Sequence, residues 1–212
     1  MARIAGSDGS RTEAAIREAA VELIARYGHE AVTMRQLAAR VGVQPAALYR
    51  YFPTKEDLLF SLMREHMEAL LAAWEAAAGA AREPSALLDA FVANHIRFHL
   101  ERRAATHVSN MELRSLSPDR LDVILALRNR YESALRGILR HGATAKVFTV
   151  EDAKLSSMAI IQMITGVIVW FRPDERLSTE DITKTYLAMT RRLVGADRRS
   201  MHVREDAELR AG

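Results

Sequence analysis

The sequence predicts an all-α protein of about nine helices, on three observations. Apolar residues recur at spacings of three and four, as one face of a helix requires. Alanine and leucine are in excess over β-branched runs, and no segment alternates as a strand series would. A helix-start device also recurs, in which a hydroxyl residue caps a free backbone N–H and an acid or amide three positions later returns the bond.

Taken in order, Ser10/Glu13 opens a first helix near 11–27, with Ile16, Ala19, Ala20, Leu23, Ile24 and Tyr27 on one face. Thr33/Gln36 opens a second near 34–40, lined by Met34, Leu37, Ala38 and Val41. Gly42 turns the chain into a third near 45–51, started by Pro45 and packed through Val43, Leu48 and Phe52. Thr54/Asp57 opens the fourth, near 55–77, and Pro84 and Pro118 suit the first turns of helices near 85–102 and 118–140, with another near 105–114 between them. Thr149/Asp152 and Ser178/Asp181 open the last two, near 150–171 and 179–194. Gly28, Gly42, Gly79, Gly142 and Gly195 are the expected stops. The closely spaced early helices and the longer later ones imply a domain at 10–55, a larger one at 56–195, and a charged tail, 196–212, without an apolar stripe.

The chain has 212 residues, 49% hydrophobic and 27% charged, as a globular protein does. It contains no cysteine, which removes disulfides, thiolate metal sites and cysteine nucleophiles and fits a reducing cytoplasm. "MARIAGSDGSR" has no apolar core of signal-peptide length, so export is not expected. The most apolar run, Leu155 to Phe171, carries Ser156, Ser157, Gln162 and Thr165 and reads as a buried helix, not a membrane span. Residues 1–55 hold eight Lys/Arg against five Asp/Glu, which equals the whole net charge of +3. An excess confined to that end fits contact with a polyanion there.

The first three helices form a helix-turn-helix. Its third helix buries little, leaving Gln44, Pro45, Ala46, Ala47, Tyr49, Arg50 and Tyr51 partly free. Small residues allow close approach to base edges, an amide can bond bases, and tyrosine hydroxyls reach phosphates. Lys55 adds a charge at the head of the fourth helix. The bland alternative is a packing unit with amphipathic tyrosines at its rim.

"TMRQLAARVGVQPAALYRYFPTKEDLL" resembles the DNA-binding signature of the tetracycline-repressor (TetR) family over residues 10 to about 60. The resemblance implies an all-helical, homodimeric repressor of a double-stranded DNA operator, released by a small molecule. It puts Arg35 near a base or phosphate, Gln44, Pro45, Ala46 and Ala47 along the major groove, and Tyr49, Tyr51 and Lys55 on phosphates, with Thr33 as helix cap and phosphate neighbour. Gln44 departs from the serine or threonine often found there, and Arg50 occupies a variable position where it reads guanine or touches the backbone.

Beyond residue 56 the residues argue for themselves. Trp74, Phe91, Phe98, Met111, Tyr131, Met163 and Trp170 either line an apolar effector cavity or fill a core; periodicity does not separate the two. Arg128 falls where a core residue should and requires a carboxylate (Glu112 or Glu132), water or an anionic ligand. His95 and His99 stand four apart on an apolar stripe, either bonded within the core or touching the effector; no third ligand accompanies them, and no metal or cofactor is expected. Ala159 and Gly166 on the eighth helix, and Ile182, Tyr186, Met189 and Leu193 on the ninth, form the expected two-fold contact of a four-helix bundle.

"WFRPDERLSTED" at 170–181 resembles a segment of a TetR branch that includes acyl-CoA-responsive repressors of lipid and ring degradation, with Glu175 where glycine is usual. An acyl-CoA thioester would set its phosphates against such residues as Arg97, Arg102, Arg103, Arg114, Arg128 and Arg130. The alternatives are a repressor sensing drugs or aromatic compounds and, from another class, a helical enzyme handling acyl-CoA. Against an enzyme, the sequence has no serine elbow, phosphate-cradling glycine loop, metal-ligand cluster or evident paired carboxylates.

Overall fold

The computed structural model describes residues 7–172 and 176–196, and none of these lies in a strand. The helices in chain order are α1 Ser7–Tyr27, α2 Met34–Val41, α3 Pro45–Tyr49, α4 Lys55–Ala78, α5 Pro84–Glu101, α6 Arg103–Met111, α7 Pro118–Thr144, α8 Ala153–Thr165, α9 Val167–Trp170 and α10 Thr179–Leu193. A 3₁₀ turn, Leu113–Ser115, follows α6. The all-α class is as the sequence predicts.

One compact unit takes the chain up to residue 69 together with 102–127; the other takes 70–101 and the chain from 128 onward. In the first, Ile16, Ala20 and Ile24 of α1, Leu37 and Ala38 of α2, Leu48 of α3 and Leu58, Leu59 and Met63 of α4 close an apolar core with Val108, Leu116 and Ile124. Their three- and four-residue spacing puts each set on one helix face, and each large aliphatic side chain so buried contributes roughly 1.5–3 kcal/mol. Gly42, at φ 78°, lets the chain turn after one short helix while its N–H still reaches the Ala38 and Ala39 carbonyls. In the second unit α5 packs on α8, α9 and α10, burying Phe91, Ile96, Ile160, Ile164, Val167 and Ile182.

The predicted starts at Thr33, Thr54 and Ser178 are present as reciprocal bonds with Gln36, Asp57 and Asp181. Other boundaries differ. α1 is already helical at Ser7, so Ser10 lies inside it, and Tyr27, at its end, is exposed. α3 stops at Tyr49, two residues early, and α6 gives way to the 3₁₀ turn. Asp152 alone caps α8, accepting from the N–H groups of Lys154 and Leu155, while the Thr149 N–H bonds to the Val194 carbonyl. The expected helix over 150–171 is interrupted at Gly166, where the Val169 N–H bonds to the Gly166 carbonyl three residues back, a tighter turn than an α-helix makes. Glu175, in the joining segment, lies outside the described residues, as do residues 197–212 of the tail.

Gly142 is not a stop: α7 runs on to Thr144. A Cβ at Gly142 would lie 1.9 Å from Cδ2 of the buried Phe148 ring, so the missing side chain makes room for that ring. Gly→Ala inside a helix ordinarily stabilises by about 0.5–1 kcal/mol. Here the sign reverses, and Gly142→Ala is expected to destabilise by roughly 1–3 kcal/mol through overpacking, read as a lower urea midpoint.

Candidate functional site

Within the first unit, α2 and α3 turn one set of side chains inward and leave the complementary set outside. Met34, Leu37, Ala38 and Leu48 are buried, while Thr33, Arg35, Gln44, Ala46, Tyr49 and Arg50 are exposed and Pro45, Ala47, Tyr51 and Lys55 half-buried. Tyr49 keeps 48% of its surface, a large value for an aromatic side chain on a five-residue helix. Gln44 occupies the N-cap of α3 without a side-chain capping bond, so its amide is not consumed by the helix end. Among the described residues no carboxylate pairs with Arg35 or Arg50, whereas Arg17 is bridged to Glu13 and Glu65, and Arg40 to Glu22. The region thus presents two cations, an amide and a phenol beside small residues, the composition that meets phosphates and base edges.

Lys55 holds more than the sequence suggests. Its Nζ donates to the carbonyl oxygens of His29 at 2.8 Å and Glu30 at 3.4 Å, in the turn between α1 and α2. The same turn is held by Glu112, whose Oε1 accepts the His29 N–H at 3.0 Å. Sequence spacing could not have singled out Glu112, 83 residues away. The His29 ring is buried, and burial first, then the Lys55 charge, lowers its pKa.

The second unit contains a buried aromatic and polar cluster. Phe91 meets Trp74 edge-on at 5.0 Å and Tyr131 at 4.7 Å between ring centroids, and His95 stacks on His99 at 3.8 Å. His95 Nδ1 lies 3.1 Å from the Tyr131 hydroxyl and Nε2 2.9 Å from the Thr165 hydroxyl. His99 donates from Nδ1 to the His95 carbonyl at 2.8 Å. Both ring nitrogens of His95 and Nδ1 of His99 are therefore engaged in protein hydrogen bonds. Burial holds the Tyr131 hydroxyl well above its usual pKa. Phe98 is buried beside His99, and Met163 is half-buried.

Two expected members of this cluster are elsewhere. Met111 is 59% exposed in the first unit, because α6 ends there, and Trp170 is 47% exposed, because α9 turns its last residue outward. Arg128 is half-buried, and burial lowers its pKa. Of the two carboxylates expected near it, Glu112 accepts from His29 and Ser115, and Glu132 lies 3.6 Å from Arg136 and 3.1 Å from Ser157.

Burial brings the His99 pKa down to about 4. Unfolded, the ring titrates near 6.5, so below that the unfolded chain binds more protons and stability falls as pH drops toward 4. Urea unfolding is expected to lose about 2 kcal/mol between pH 7.5 and pH 5 through this group, a loss that His99→Gln removes.

Of the residues expected at a two-fold contact, Ile182 is 1% exposed: α10 packs that face on α5 of its own chain. Ala159 and Met189 are exposed, and Gly166 and Tyr186 half-buried. Leu155, Met158, Val169, Trp170 and Leu193 are exposed with them, and Val169 keeps 73% of its surface. The apolar stretch Ala153–Trp170 has a mean hydropathy of 1.5 yet is only 22% buried.

Two family models match this architecture: the N-terminal domain of bacterial regulatory proteins of the tetR family over residues 16–62, and the tetracyclin repressor-like C-terminal domain over 81–194. The transcriptional repressor KstR2 of Rhodococcus jostii is 23% identical over 87% of this chain and 90% of its own length. The fatty acid metabolism regulator protein of Bacillus subtilis is 27% identical over 82% and 91%. A crystal structure of a tetR-family regulatory protein from Rhodococcus RHA1 superposes with a TM-score of 0.82 at 32% identity, covering 86% of this chain and 96% of that one. AibR, solved with isovaleryl coenzyme A and operator DNA, shares the fold at a TM-score of 0.76 and 24% identity, covering 84% and 97%. With both domains matched in order on a helix-turn-helix that exposes its third helix, the chain belongs to the TetR family of bacterial DNA-binding transcriptional regulators rather than to an enzyme family.

Proposed function

We propose that the protein is a cytoplasmic homodimeric repressor that binds a palindromic operator and leaves it when a small molecule, a CoA thioester of lipid or ring catabolism, occupies the second unit. The observation that carries this reading is the exposed row Arg35, Gln44, Ala46, Tyr49 and Arg50 on a helix pair anchored by the buried Met34, Leu37, Ala38 and Leu48. Gln44, Pro45, Ala46, Ala47 and Arg50 face the major groove; Thr33, Arg35, Tyr49, Tyr51 and the remaining donor of Lys55 take phosphates. One reading helix of five residues spans too few base pairs for an address, so two copies act together about 34 Å apart, one DNA turn. The exposed apolar face of α8, α9 and α10, with Ala159, Gly166, Tyr186 and Met189, is the surface a second copy covers.

For the effector, Trp74, Phe91, His95, Phe98, His99, Arg128, Tyr131 and Met163 supply an apolar lining with a few polar anchors, and the relatives that handle fatty acid metabolism and isovaleryl coenzyme A supply the class. The ligand shifts the population toward a dimer whose heads no longer fit successive grooves, by no more than its differential affinity for the two states. α4, like α7, contributes residues to both units and is a covalent route for that change.

Footprinting on the protein's own promoter is expected to protect two patches one helical turn apart, released by a CoA thioester that also raises the melting temperature. If free aromatic compounds stabilise the protein and CoA thioesters do not, the aromatic-sensing reading replaces this one. Absence of any footprint rejects the repressor reading itself.

A further inference from the structure

The geometry points to Glu112 as a positioning residue for DNA reading: its carboxylate, at the end of α6, fixes the turn from which α2 and the reading helix α3 are launched. This rests on the repressor reading above but assigns a residue outside the helix-turn-helix. The turn 28–32 is short, and Gly28 adopts φ 81°, so its path is open to error unless its peptide groups are held. The two peptides flanking His29 are held from opposite partners, the N–H by Glu112 Oε1 at 3.0 Å and the carbonyl by Lys55 Nζ at 2.8 Å. The Ser115 hydroxyl donates to Glu112 Oε2 at 3.1 Å and orients the carboxylate. A Cβ at Gly28 would lie 3.6 Å from Glu112 Oε1, so the carboxylate sits directly against the turn. Thr33, the N-cap of α2, follows three residues after Glu30. A hydrogen bond to a carboxylate is among the stronger ones, so this contact has enough leverage to set the entry of α2.

Glu112 is assigned no DNA contact: its charge opposes the phosphates, and its two oxygens already accept from the His29 N–H and the Ser115 hydroxyl. That opposition gives the test its sign. Glu112→Gln and Glu112→Ala remove the same charge, but only the glutamine keeps an oxygen for the His29 amide. Affinity is measured by fluorescence anisotropy on the promoter fragment at several salt concentrations, and exchange of the His29 amide by hydrogen–deuterium exchange.

Expected is a binding loss of up to about tenfold in Glu112→Ala relative to Glu112→Gln, the scale of one neutral hydrogen bond, with an unchanged salt slope because no phosphate contact is lost. The His29 amide exchanges faster in the alanine variant only. Should that variant not fold, Ser115→Ala, which keeps the carboxylate but not its orienting hydroxyl, is expected to lose affinity in the same direction by less. Alanine and glutamine variants alike in both affinity and exchange overturn the positioning role, as does Ser115→Ala with unaltered affinity. Wild-type protein that binds no promoter DNA overturns the repressor reading beneath it.

Discussion

Arg35→Ala combined with Arg50→Ala lowers operator affinity by about a hundredfold, while Arg40→Ala leaves it within about twofold. The difference lies in what each guanidinium already holds. Arg40 is bonded to Glu22 at 2.8 Å on the α1 side of α2, whereas no described carboxylate pairs with Arg35 or Arg50. A base-reading arginine contributes roughly 1–3 kcal/mol and a phosphate contact removes about one unit from the salt slope. Arg35 lies on α2 and Arg50 just past the end of α3, and no described carboxylate pairs with either, so their losses should nearly add. Anisotropy titrations on operator and on scrambled DNA separate the roles. Arg50→Ala is expected to narrow the gap between the two if it reads a base, and Arg35→Ala to weaken both equally if it holds a phosphate.

The second large effect concerns assembly. Leu155→Glu with Val169→Glu is expected to convert a dimer into a monomer at micromolar concentration, measured by sedimentation, without lowering the melting temperature of the chain by more than its lost dimerisation accounts for. Both residues are largely exposed within one chain, so the charges cost little there, but they would be buried unpaired against a second copy. Met111→Glu, equally exposed but on the other unit, is the control and should leave assembly unchanged. Ile182→Glu would report on folding instead, since that side chain is already inside its own unit. A monomeric double variant should also lose operator binding, because one reading head alone cannot discriminate a site among many.

Local chemistry was readable in advance where it is decided by neighbours in sequence. Thr33 with Gln36, Gly42 and Leu48 act within a few residues of one another, so their spacing was enough to predict the helix-turn-helix, and the outward set from Gln44 to Arg50 followed from the inward one. Where a residue's role depends on a partner brought in by tertiary packing, the pattern was silent. Gly142 looked like a helix stop because glycine often is one; only the Phe148 ring stacked against it gives the real reason for the missing side chain. Ile182 and Met189 share one apolar stripe, yet α5 buries the first and leaves the second outside. His95 and His99 meet as neighbours one turn apart on α5, whereas Tyr131, from α7, reaches Phe91 and His95 only through packing, and Met111 and Trp170 lie at helix ends and are exposed. The bond from His29 to Glu112, 83 residues apart, is beyond reach of any spacing rule.

The most direct measurement is the affinity of the purified protein for its own promoter DNA as salt is raised from about 50 to 200 mM. Two heads neutralising several phosphates each should lose on the order of a thousandfold across that range, with two chains bound per site. No binding, or binding indifferent to salt, would contradict the proposed DNA-reading role.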